Sequence, residues 1–203
     1  MDVSRQDEIA ATTQAGLGLF GGVDILVLNA GISQRALTRD TDESVYRRLM
    51  EVNFFGPEAM TRALLPGMLA QKSGHIVVIS SVAGKFGVPL RSGYSASKFA
   101  LHGFYEALRA EEQRNGIYVT LVCPGWIRTE ISVSALKADG AAYSKIDPEL
   151  ARGMSAEECA RQILRGVAGK KNELVVAASR EKMVVYLKRF TPNLVAWMMG
   201  RTP

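Results

Sequence analysis

Cysteine and histidine are scarce in this chain, with two of each in 203 residues. Cys123 and Cys159 lie far apart and without Cys-x-x-Cys spacing. That argues against a disulfide framework or a zinc site, and it fits a reducing compartment. His75 and His102 have no partner at metal-ligand spacing and read as structural histidines. No uninterrupted apolar run approaches the ~18 residues of a membrane span. Met1 to Arg5 lacks the basic-then-apolar pattern of a signal peptide, so the expected location is cytoplasmic. Internal repeats and low-complexity segments are absent. So is a Gly-rich turn between a strand and a helix: Gly16-Leu17-Gly18 and Gly21-Gly22 lie in and after a helical stretch with no strand before them.

What is present suits one domain with a sizeable core, at 47% hydrophobic and 22% charged residues. The net charge of +5 is uneven. From residue 170 onward, seven basic residues face only Glu173 and Glu181, so the surplus belongs to the C-terminal segment and gives nucleic-acid binding little support. Residues 179–203 combine that charge with Met183, Val184, Leu187, Phe190, Leu194, Val195, Trp197 and Met198, a basic amphipathic segment. It reads in three ways: a peripheral contact with an anionic membrane, a lid over an apolar cleft, or a subunit contact.

Residues 1–178 alternate helix and strand. Ser4 to Asp7 open a helix that stops at Gly21-Gly22, and Val23 to Leu28 form an apolar strand expected to be buried on both faces. A long helical stretch runs from Asp40 to about Gln71, with Asn53 and Pro57 as the points where it can bend or divide. His75 to Ile79 and Ile117 to Cys123 are further strands, separated by the helix that carries Tyr94 and ends at Asn115-Gly116. Residues 129–153 lack a clear period and suggest a long mobile loop. Ser155-Ala156-Glu157-Glu158 opens another helix, and Glu173 to Ala177 form a last strand. The pattern implies βαβ crossovers and an α/β, doubly wound parallel sheet of Rossmann-like kind.

Tyr94 and Lys98 are four apart on one helix, hence on one face. A fixed ammonium favours a phenolate and draws its pKa towards the working range, which makes the pair an acid/base device. Ser81, 13 residues before Tyr94, would hydrogen-bond the oxygen whose proton the tyrosine exchanges. Singly the spacing is weak: a half-buried tyrosine and a solvated lysine would look the same. Asn29-Ala30-Gly31, Ser80-Ser81 and Pro124-Gly125 each fall at the carboxyl end of an expected strand, the edge where open parallel sheets bind ligands.

In order and spacing, Asn29-Ala30-Gly31, Asn53, Ser81, Tyr94-x-x-x-Lys98 and Pro124-Gly125-x-Ile127-x-Thr129 resemble the short-chain dehydrogenase/reductase family. Ser33 to Leu37, Ala83 to Lys85 and the C-terminal region are most similar to the branch that holds the hydroxysteroid, retinoid-type and member-7 enzymes. The resemblance implies an NAD(P)-dependent oxidoreductase, with NADP slightly favoured, acting on a small apolar carbonyl or alcohol. Tyr94 would then be the general acid or base. Lys98 would lower its pKa and hold the nicotinamide ribose, Ser81 would position the substrate oxygen, and Asn53 would anchor a water of a proton path. Asp2, Val3, Asn29, Ala30 and Gly31 would line the adenosine side; Pro124, Gly125, Ile127 and Thr129 would hold the nicotinamide end. Asn53 as a local backbone partner and Pro124-Gly125 as a plain turn are the competing readings.

The family's first strand, Gly-rich turn, helix and second strand find no match, so an N-terminally truncated fold is expected. That would leave Val23 to Leu28 as an unpaired apolar edge. A full-length form would be a homo-oligomer. The alternative is a catalytically weak or inactive short form that acts as an interaction protein through its open edge.

Overall fold

The computed structural model describes residues 1–201, without the Phe20 side chain. Four parallel strands form the main sheet: β1 (Ile25–Leu28), β2 (Gly74–Ile79), β3 (Ile117–Pro124) and β6 (Glu173–Val176), in the order β1-β2-β3-β6. Strand pairs that run parallel need a crossover, and α-helices supply each one. The helices α1 (Gln6–Phe20), α3 (Gly56–Gln71) and α4 (Ser92–Glu112) cover one face. There Leu26, Leu28, Ile76, Val78, Val119 and Leu121 meet Leu64, Met68, Leu101 and Tyr105. On the other face Val77, Val122 and Val176 pack with Ile127 and with Cys159 of α6 (Ala156–Ala168).

Strand β1 departs from expectation. It is not buried on both faces but alternates, with Leu26 and Leu28 buried and Ile25 and Val27 53% and 54% exposed. The reason is reach: α6 lies over β3 and β6, at the far side of the sheet, and the described residues supply no helix over the second face of β1.

The expected long helix from Asp40 to Gln71 is in fact divided. Its first part is α2 (Glu43–Met50), followed by a π-helical turn, Glu51–Phe55, and then α3 with Pro57 in its first turn. The backbone stays right-handed helical through both junctions, and Pro57, which has no amide hydrogen to give to the turn before it, stands just after the widened segment. Such π-turns recur at functional sites. This one carries Asn53 into the interior.

Residues 129–153, expected as a loop without internal structure, are tied down at several points. A two-stranded parallel pair, β4 (Ile127–Arg128) with β5 (Met154–Ser155), closes the segment's ends around the short helix α5 (Pro148–Ala151). Backbone bonds join Leu136 to Ser33 and Arg35, and Tyr143 to Ala135. The C-terminal helices α7 (Ser179–Phe190) and α8 (Pro192–Met199) dock through Val184 and Val195 on Phe86. Among the described residues no helix is long and apolar enough to cross a membrane.

Candidate active site

The carboxyl ends of β1, β2 and β3 open into one cavity of about 580 Å³. Asn29, Ala30, Gly31, Ser81, Tyr94, Lys98, Pro124, Gly125, Ile127 and Thr129 all line it. Residues up to 100 positions apart in sequence therefore share one wall, as the strand order requires.

The two serines after β2 differ in use. Ser80 is buried and donates to the Lys98 carbonyl at 3.2 Å. Ser81 has an extended backbone and caps the turn Val82–Gly84, its Oγ accepting from Ala83 N at 3.1 Å. Because that oxygen is the acceptor, the Ser81 hydroxyl hydrogen is left for the Tyr94 phenol oxygen, or for a ligand oxygen that takes its place.

Tyr94 is buried, and burial pushes its phenol pKa up. The Ser81 hydroxyl opposes this most strongly, followed by the Arg91 and Arg35 guanidiniums. Lys98, expected to supply that pull, stands on the same cavity wall. Its ammonium donates to the Ile79 carbonyl at 2.8 Å and lies 5.8 Å from the Tyr94 ring centroid. Burial pulls the lysine itself down to about 8, so its own charge is the one under pressure.

Asn53 is wholly buried behind the cavity wall. Its Oδ1 accepts from Ile32 N at 2.8 Å, while Nδ2 donates to the Ile32 carbonyl and to Ser97 Oγ, each at 2.9 Å. Both amide hydrogens are thus engaged within the protein, and the side chain clamps the segment after β1 onto α4. Gly31 makes room for this arrangement: a Cβ there would stand 3.2 Å from Asn53 Oδ1 and 3.4 Å from Lys98 Nζ.

Asp2 and Val3 are not brought to the cavity. Asp2 Oδ1 accepts from the Ser4 amide and hydroxyl at 2.9 and 2.8 Å, forming the turn before α1, and Val3 packs against Gly56 at the start of α3. A carboxylate engaged in its own turn is held there by local bonds, which sequence order alone does not reveal.

Arg35, Arg91 and Asp147 were not among the expected site residues, and Trp126, balanced in the sequence between core packing and substrate contact, lines the cavity. Arg35 and Arg91 line the cavity and converge on one carboxylate, that of Asp147. The Arg91 guanidinium also stacks over Trp126, 4.6 Å from the ring centroid. The available signal was proximity in sequence: Arg35 stands four residues after Gly31, and Arg91 three before Tyr94.

The histidine reading needs one amendment. Folding brings His102, Glu106 and Glu173 to within 4.8 Å of one another, although Glu173 lies far along the chain. The Lys85 ammonium already pairs with Glu173 and supplies the positive charge that cluster needs.

A parallel sheet with a Ser, Tyr and Lys at its carboxyl edge defines a class, and comparison with known proteins agrees. The short chain dehydrogenase family matches residues 1–140, and the chain belongs to that family. It is 45% identical over 199 residues to the mouse protein "Dehydrogenase/reductase SDR family member 7B", a match covering 98% of this chain and 62% of the relative. A short-chain dehydrogenase structure from Streptomyces avermitilis superposes with a TM-score of 0.80 at 31% identity, covering 98% of this chain and 78% of that one. A gluconate 5-dehydrogenase from Burkholderia cenocepacia, solved with NADP and tartrate, gives a TM-score of 0.63 at 30% identity. That match covers 65% of this chain and 52% of the other.

Proposed function

We propose that this chain forms the catalytic part of an NAD(P)-dependent oxidoreductase that interconverts an alcohol and a ketone. One observation carries the reading: Ser81, Tyr94 and Lys98 converge on a single cavity at the carboxyl edge of a parallel sheet. The complex of the gluconate 5-dehydrogenase with NADP supports a nicotinamide cofactor. When bound, that cofactor supplies or accepts the hydride.

The residues present fit the nicotinamide end. Gly31 leaves the Lys98 ammonium beside the peptide after β1, and Pro124, Gly125, Ile127 and Thr129 form the opposite wall. In reduction, the Ser81 hydroxyl donates a hydrogen bond to the substrate carbonyl oxygen and stabilises the charge that develops there. The Tyr94 phenol gives that oxygen its proton. Its raised pKa keeps the phenol protonated at neutral pH, the state that reduction needs. In the reverse direction Tyr94 must first lose its proton, so oxidation accelerates with rising pH.

The test is Tyr94→Phe, assayed by ketone-dependent NADPH oxidation and, separately, by cofactor titration. Expected is a loss of about 10²-fold or more in turnover with cofactor affinity kept. Unchanged turnover disproves the assignment. A second reading, association through the sheet edge, draws on the exposed Ile25 and Val27 of β1. It predicts an oligomer that Val27→Lys dissociates in size-exclusion chromatography.

A further inference from the structure

The cavity holds charges that an apolar ketone would leave unanswered. Arg35, from the segment after β1, and Arg91, from the turn before α4, both reach Asp147 of the 129–153 segment. Two guanidiniums on one carboxylate leave a positive charge unbalanced. Glu149 acts on Arg91 more weakly than Asp147 does, and Glu130 on the cavity wall is exposed.

The two arginines are not equivalent. Arg35 is engaged on every side: Nε and Nη2 donate to Asp147, and Nη1 donates to Ser33 Oγ at 2.8 Å and to the Gln34 carbonyl. Arg91 gives Asp147 one bond, from Nη2 at 3.1 Å, and otherwise stacks on Trp126. Its Nε and Nη1 hydrogens have no protein acceptor among the described residues. Its side chain is only 16% exposed, and its unengaged donors face the open cavity, where a ligand can take the place of water. The backbone is also strained to present it. Leu90 adopts φ 63°, in the left-handed region disfavoured for a branched side chain, and its carbonyl accepts from Ala36 N at 3.0 Å.

We propose that Arg91, held in place by Asp147 and Trp126, binds an anionic group on the substrate, so that the enzyme acts on ketones or alcohols bearing a carboxylate or phosphate. A planar guanidinium with free parallel donors suits either group. Arg35 is then a positioning residue that fixes Asp147. The proposal rests on the oxidoreductase reading and narrows its substrate class.

The experiment is equilibrium binding of 4-acetylbenzoate, 4-acetylphenyl phosphate and the neutral methyl 4-acetylbenzoate to the full chain. A Trp197→Phe background makes Trp126 the fluorescent reporter, and far-UV circular dichroism verifies the folding of every variant. Both anions are expected to bind about tenfold or more tightly than the ester. The better of the two identifies the group. Arg91→Gln should abolish the preference, Arg91→Lys should keep part of it, and Tyr94→Phe should leave it intact. Equal binding of ester and anions, a preference that survives Arg91→Gln, or no anion binding at millimolar concentration each overturns the proposal. A changed NADPH-to-NADH affinity ratio in Arg91→Gln also overturns it, because the arginine would then serve the cofactor. An intact anion preference in a chain that oxidises no NADPH supports the anion site and counts against the oxidoreductase reading alone.

Discussion

Asn53 shows how one side chain can hold a site together without touching its reactants. It closes both hydrogen bonds of the Ile32 peptide and ties Ser97 of α4 to the segment after β1. Asn53→Ala leaves those buried groups unpaired and is expected to lower stability by about 2–3 kcal/mol in urea unfolding. A change under 0.5 kcal/mol would contradict the clamp. Lys98 makes a second claim at this scale. Its folded pKa of about 8 lies below the ordinary lysine value of 10.5, so between those values the unfolded chain binds more protons than the folded one. Stability contributed by this group therefore rises from pH 8 towards 10.5, and below pH 8 its burial cost is constant. Over pH 8 to 10, Lys98→Met should flatten that rise, as followed by unfolding midpoints. An identical slope in the variant would refute the assignment of the depressed pKa to this lysine.

At the scale of elements, turns decide what the helices and strands present. The π-turn Glu51–Phe55 adds the residue that swings Asn53 inward, and the left-handed Leu90 sets Arg91 on the cavity wall. Leu90 is 39% exposed, so replacing it removes little packing. Leu90→Gly is expected to relieve the strained φ and raise stability by about 0.5–1 kcal/mol, measured by chemical denaturation. Destabilisation would show that packing of Leu90 outweighs the strain. The terminal pair α7 and α8 exposes Met183, Tyr186, Phe190, Leu194 and Trp197 beside its lysines and arginines. Of the three readings of this segment (membrane contact, lid, subunit contact), contact with an anionic membrane surface makes the most direct prediction. Sedimentation with phosphatidylserine vesicles should be retained at low salt and reduced in Phe190→Ser/Trp197→Ser. Absence of binding to such vesicles removes the idea.

For the molecule as a whole, the question is how much of a cofactor site it provides. Ten of the expected site residues line one cavity, yet nowhere in the sequence does a strand run through a Gly-rich turn into a helix. A pyrophosphate gains most from amides at such a helix start. The chain by itself is expected to bind NADPH weakly; a nanomolar or low-micromolar dissociation constant in titration would contradict this.

The fold class was legible in the alternation of helical and strand patterns, and the reacting trio in short-range spacings. Tyr94 and Lys98 lie one helical turn apart, and Ser81 follows a strand, so local geometry already fixed where they would point. The local turn that engages the Asp2 carboxylate with Ser4 was not legible in sequence order. The half-open face of β1 depended on how far α6 reaches across the sheet. The convergence of Arg35, Arg91 and Asp147 joins segments up to 112 residues apart and leaves no periodic trace. The amino-acid sequence by itself determined the parallel sheet and the placement of a Ser-Tyr-Lys set at its carboxyl edge, since both follow from patterns of a few residues. Only the tertiary structure decided which charges surround that chemistry, because a charge acts through space and its neighbours are chosen by the packing of distant segments.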